Sequence, residues 1–133
     1  MSDKILIDTS AFYALVSASD EFHLKAKGTF ESLVDEKTEL YTSSYIFVES
    51  AALIQHRLGF DALKTFVDSV RESIHFLWID SRTHWQAWEI LKETPRRRLS
   101  FVDCTTVVLA KALRASVFAF DEDFKQEGIV LLD

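Results

Sequence analysis

This sequence predicts an α/β fold, three layers deep, with a central parallel sheet of about five strands covered by helices on both faces. Two observations carry that prediction. Short, uninterrupted apolar runs recur along the chain, each bounded by polar residues, as in strands buried on both faces. Longer segments lie between them, with apolar residues at helical spacing. Such alternation gives parallel strands joined by right-handed crossovers.

The first run is Lys4-Ile5-Leu6-Ile7, closed by Asp8, Thr9 and Ser10. Ser10–Val16 reads as a short helix that Asp8 or Ser10 caps. From Asp20 to Asp35, Phe22, Ala26, Phe30, Leu33 and Val34 fall on one helical face. Glu39–Thr42 is a brief strand, and Ser43 or Ser44 then caps a helix from Tyr45 to Leu58 that Gly59 closes. Asp61 opens another helix, with Leu63, Phe66, Val67 and Val70 on one side.

Ile74–Ile79 is the second strong strand. Ser81–Thr94 is a helix ended by Pro95, and its stripe of Trp85, Trp88 and Leu91 is expected in the core. A dimer interface is the other reading of the two tryptophans. Arg96-Arg97-Arg98 is a loop, Ser100–Arg114 a helix, and Val117–Phe120 and Ile129–Leu132 are the last strands. No internal repeat interrupts the pattern, and the whole chain, 1–133, fits one domain.

Composition narrows the function classes. A single cysteine, Cys104, excludes an internal disulfide and suits a reducing interior. No apolar run approaches the ~20 residues that span a bilayer, and no signal segment opens the chain. A cytoplasmic location, away from membranes, is therefore expected. A net charge of −6 argues mildly against gripping nucleic acid by bulk electrostatics. It leaves room for an enzyme that meets phosphates through metal ions.

Four acids stand out by position. Asp8 and Asp121 each follow an apolar strand, Glu49 is the one charge in an otherwise apolar helical stretch, and Asp103 falls in a first helical turn. Singly, three of them read as caps: Asp8 and Asp121 at strand-to-helix turns, Asp103 in a capping box with Ser100. Glu49 is harder to explain, because a buried carboxylate without a partner is costly. Together they fall near one edge of the sheet, where ligands of open α/β folds bind. Carboxylates gathered there repel one another, and a divalent cation removes that penalty. Oxygen ligands select Mg²⁺ or Mn²⁺, which serve phosphodiester chemistry.

Asp8-Thr9-Ser10, Glu49 in its apolar helix, Leu99-Ser100-Phe101-Val102-Asp103 and Phe120-Asp121-Glu122-Asp123-Phe124 resemble the PIN-domain ribonucleases. The likeness is to the VapC toxins of bacterial and archaeal toxin–antitoxin pairs in particular, and it covers nearly the whole chain. It implies a Mg²⁺- or Mn²⁺-dependent endoribonuclease whose catalytic metal site is Asp8, Glu49, Asp103 and Asp121. Asp8 and Asp103 would be the core ligands. The same resemblance implies a second-metal role for Asp123, and hydrogen bonds from Thr9 or Ser10 to a carboxylate or the scissile phosphate. It also implies an RNA substrate, a cognate antitoxin protein and a homodimer. Cys104 stands where the family often has a small residue such as alanine.

Other readings remain beside this one. The four histidines show no paired metal spacing. Arg96, Arg97 and Arg98 read equally as a solvated loop and as RNA-backbone contacts beside the acidic crevice. An inactive PIN-like binding module would keep the fold and act through a partner. A receiver-like phosphoacceptor domain would use Asp80 after the Ile74–Ile79 strand.

Overall fold

The computed structural model describes residues 4–93 and 99–132; the arginines at 96–98 lie outside them. Five strands form one sheet: β1 (Lys4–Ile7), β2 (Glu39–Ser43), β3 (His75–Leu77), β4 (Ser116–Phe118) and β5 (Leu131–Leu132). Every strand pair is parallel. Among the described residues, six helices connect them: α1 (Thr9–Val16), α2 (His23–Asp35), α3 (Ser44–Leu58), α4 (Phe60–Ser73), α5 (Ser81–Glu93) and α6 (Phe101–Leu113). A 3-10 helix, Glu122–Glu127, precedes β5.

The strand order is β3-β2-β1-β4-β5. The chain first builds outward from β1 through β2 to β3, then returns to the other side of β1 for β4 and β5. That reversal opens a crevice between the carboxyl ends of β1 and β4, the place where open α/β sheets bind ligands. Ile5, Leu6 and Ile7 are all buried. Successive strand residues face opposite sides of a sheet, so helices cover both faces. Val117 and Phe118 continue the same core.

Local chemistry fixes where the elements start. Asp8 caps α1 by accepting from the Ser10 N–H, and Ser43 caps α3 by accepting from the Ile46 N–H at 3.1 Å. Gly59, at φ 95°, closes α3 and opens α4 in one step, a backbone state that glycine adopts without strain. Phe12 and Phe66 meet edge-on at 5.1 Å, tying α1 to α4.

Trp85 and Trp88 correct the sequence reading. They are 60% and 40% exposed, and Ala87 is the buried residue of α5. Helix α5 packs on α6 with small Ala87 fully buried, while both indoles keep an exposed face. Trp85 packs edge-on to His84, and Trp88 stacks on Phe101.

Candidate active site

Asp8 ends β1 and is 3% exposed. Its backbone N–H donates to the Phe118 carbonyl at 3.0 Å, which holds the residue at the β1–β4 switch point. Its Oδ2 accepts from the Ser10 N–H and hydroxyl at 3.3 and 3.2 Å. Its Oδ1 is buried and has no hydrogen-bond partner among the described residues. Buried polar atoms are nearly always paired, so this oxygen is the unusual atom of the site.

Ser10 does more than serve Asp8. Its hydroxyl also accepts from the Phe120 N–H at 3.0 Å. One side chain thus joins the start of α1 to the segment that delivers Asp121. Thr9, nearly buried, donates through Oγ1 to Glu49 Oε1 at 2.7 Å. The Ser50 hydroxyl donates in turn to Thr9 Oγ1 at 3.1 Å. Glu49 therefore points from α3 toward the amino end of α1.

Asp103 enters from α6. It forms a complete capping box with Ser100: the Asp103 N–H donates to Ser100 Oγ at 3.0 Å, and Asp103 Oδ2 accepts from the Ser100 N–H at 2.9 Å. Asp121 begins the 3-10 helix and accepts from the Asp123 N–H at 2.9 Å. Asp123 is half-buried behind it. The capping readings of Asp8, Asp103 and Asp121 thus describe real hydrogen bonds.

The same acids also feel one another. Burial, then the Asp103 charge, pushes the Asp8 carboxyl up to about 7. Asp103 is pushed up to about 6, mainly by burial, with Asp121 and Glu49 adding repulsion. These shifts place the four carboxylates in one electrostatic neighbourhood at the switch point. No three acids, histidines or cysteines among the described residues form a closed metal cage. Glu49 is turned toward Thr9, and Asp103 and Asp121 toward donors three and two residues away. The site nonetheless fits a hard divalent cation in kind: all donors are oxygens, the carboxylates oppose one another, and a buried carboxylate oxygen lacks a partner.

Asp80 stands elsewhere. It accepts from the Thr83 N–H at 2.8 Å in the first turn of α5, and that bond lowers its pKa. It is exposed, beyond the edge strand β3. Cys104 is buried beside Asp103, and burial first, then that carboxylate, pushes its thiol up to about 11. A thiol so raised is no nucleophile.

Sequence reasoning missed Ser50 and the wall formed by Phe22 and Phe120, whose rings stack at 4.6 Å. Both join residues far apart in the chain, which no local spacing reports.

A sequence model of the PIN domain matches residues 5–128, from β1 through the 3-10 helix. The chain belongs to the PIN-domain family. No curated protein matches it. Among solved structures it resembles VapC20 of Mycobacterium tuberculosis, described as a sarcin-ricin loop cleaving toxin. That likeness has a TM-score of 0.86 and 29% identity over 95% of this chain and 96% of the other. It shares its fold with VapBC2 of Rickettsia felis, solved on a promoter DNA fragment, at TM-score 0.74 and 13% identity, covering 97% of each chain. A DNA-bound VapBC of Salmonella typhimurium gives TM-score 0.74 and 17% identity over 98% and 97%.

Proposed function

We propose that this PIN-domain protein is a metal-dependent endoribonuclease, the toxin of a toxin–antitoxin pair. The observation that carries the reading is Asp8: a buried carboxylate with one unpartnered oxygen, raised to about 7, at the β1–β4 crevice where Asp103 and Asp121 also arrive. Asp8, Glu49, Asp103 and Asp121 would hold Mg²⁺ or Mn²⁺, with Asp8 and Asp103 as core ligands and Asp123 near a second ion. A bound divalent cation supplies a more acidic water and neutralises charge developing on the phosphate.

The chain's own residues prepare that chemistry. Strand β1 and the Asp8–Phe118 backbone bond fix Asp8. Thr9 aims Glu49, and Ser10 holds the Asp121 segment against α1. Once ionised, Asp8 and Asp103 present only hydrogen-bond acceptors. RNA is the substrate this reading carries, in keeping with the 29% identical VapC20 and its described cleavage of the sarcin-ricin loop.

Partners follow from the same likeness. An apolar groove of about 520 Å³ runs between α1, α2 and α4, lined by Phe12, Val16, Phe30 and Phe66 among others. It suits the apolar face of an antitoxin segment. Exposed Trp78 and Trp85 offer surface for a second copy of the chain. No helix among the described residues is long and apolar enough to cross a membrane, and a cytoplasmic enzyme is the reading we adopt.

Cleavage of single-stranded RNA with Mg²⁺ or Mn²⁺ tests the proposal. Asp8→Asn and Asp103→Asn should abolish cleavage while the fold survives, and excess EDTA should stop the unmodified protein. Full activity in either variant, or in EDTA, overturns the mechanism.

A further inference from the structure

We infer that the pocket walled by Phe22 and Phe120 beside Asp121 seats one unpaired RNA base next to the cleaved phosphate. This rests on the ribonuclease reading above and names how that site grips its substrate.

The pocket is about 290 Å³, and Thr9, Ser10 and Asp121 belong to its lining. Of the four acids only Asp121 is in that lining, so the pocket borders the site on its Asp121 side. Phe22 and Phe120 both face it, and their rings stack at 4.6 Å with only 4° between planes. Phe22 immediately precedes α2, and Phe120 immediately precedes Asp121. The stack makes a flat apolar wall in the segment that delivers the acid. Phe22 is still 37% exposed and provides no side-chain cap to α2. Stacking on Phe120 holds the ring in place, and its exposed part is open to a ligand.

The polar part of the lining says what kind of group fits. Asp20 and Glu21 share the pocket, and carboxylates only accept hydrogen bonds. They repel a phosphate and welcome N–H donors. A nucleobase brings a flat apolar face together with N–H donors on its edge, and unpaired bases bind proteins by stacking on aromatic rings. The volume lies at the lower end of small-ligand cavities, enough for a single splayed base and too confined for a duplex. Tyr13 lines the same pocket beneath the Arg57 guanidinium, 5.5 Å from the ring centroid.

Binding can be read without cleavage in the Asp103→Asn background, in Mg²⁺ buffer, by anisotropy of a short fluorescein-labelled oligoadenylate and of an RNA duplex of equal length. Adding Phe22→Ala should weaken single-strand binding about tenfold or more, since stacking of one base is worth that much, and leave duplex binding unchanged. Phe22→Leu keeps apolar bulk against Phe120 and should show the same loss, while Phe22→Trp restores binding. Matching thermal melts establish that the variants fold. Undiminished single-strand binding in Phe22→Leu, an equal loss for duplex, or no RNA bound at all overturns the inference. So does a change in molar mass on light scattering, which would assign Phe22 to an interface between copies. If the unmodified protein cleaves no RNA yet binding depends on Phe22, the nuclease reading falls and the base pocket stands.

Discussion

Thr9 Oγ1 donates to Glu49 Oε1 across 2.7 Å, and Ser50 Oγ donates to Thr9 Oγ1. This relay of two hydroxyls links α1 to α3 and sets the direction of the Glu49 carboxylate. Thr9→Val keeps the shape, removes the donor and leaves the buried Ser50 hydroxyl without its acceptor. A loss of about 1–3 kcal/mol in urea unfolding is expected, together with a clear fall in cleavage rate. Thr9→Ser should recover most of both. Unchanged stability and rate in Thr9→Val would mean the relay does not position Glu49.

Asp8 and Asp103 make a prediction about pH. The folded Asp8 carboxyl sits at about 7 against an ordinary 3.8, and Asp103 at about 6. Between those values the native chain holds protons that the unfolded chain has released. The stability from neutral Asp8 is therefore full below about pH 4 and is lost as pH rises through 7, an effect on the order of a few kcal/mol at most. The melting temperature of the metal-free protein should fall from about pH 5 to about pH 8. Asp8→Asn should flatten that slope. Added Mn²⁺ should raise the melting temperature more at the higher pH, because a cation binds ionised carboxylates. A metal-free melting temperature that climbs over this range contradicts the account.

Asp103 separates structure from chemistry. As a capping-box residue it accepts from the Ser100 N–H, a role that asparagine can retain. Asp103→Asn should melt within about 1 kcal/mol of the parent, whereas Asp103→Ala should lose about 0.5–2 kcal/mol with its cap. Both should be equally inactive in RNA cleavage. Activity that follows cap strength instead would make Asp103 a purely structural residue.

Cys104 gives a simple check on the surroundings of Asp103. Its buried thiol, raised to about 11, should react with a disulfide reagent only slowly at neutral pH and rapidly once urea unfolds the chain. Fast labelling of the native protein would show that the base of α6 is open to solvent.

Much of the fold was legible because its elements announce themselves locally. The Ile5–Ile7 run, the Ser43 cap with Gly59, and the Ser100–Asp103 box each fixed an element within a residue or two. Strand ends were less legible. Ile74–Ile79 was expected as strand, but only His75–Leu77 pairs, since Ile79 turns its N–H to Ser44 Oγ. Phe120 leaves β4 in the same way, for Ser10 Oγ. Such diversions are set by side chains distant in sequence. The 3-10 helix had no signal beyond Asp121, and the tryptophan stripe showed a shared helical face without showing what would cover it. Four acids could be picked out by position, but the orphaned Asp8 Oδ1 and the Thr9–Glu49 bond needed the packed sheet edge.

The central claim is that Asp8 and its neighbouring acids hold a divalent cation. Calorimetric titration of Mn²⁺ into the unmodified protein and into Asp8→Asn, at about pH 8 where Asp8 is ionised, tests it most directly. Saturable binding to the unmodified chain and its loss in Asp8→Asn are expected. Absence of binding to the unmodified chain, or equal binding to both, would contradict it.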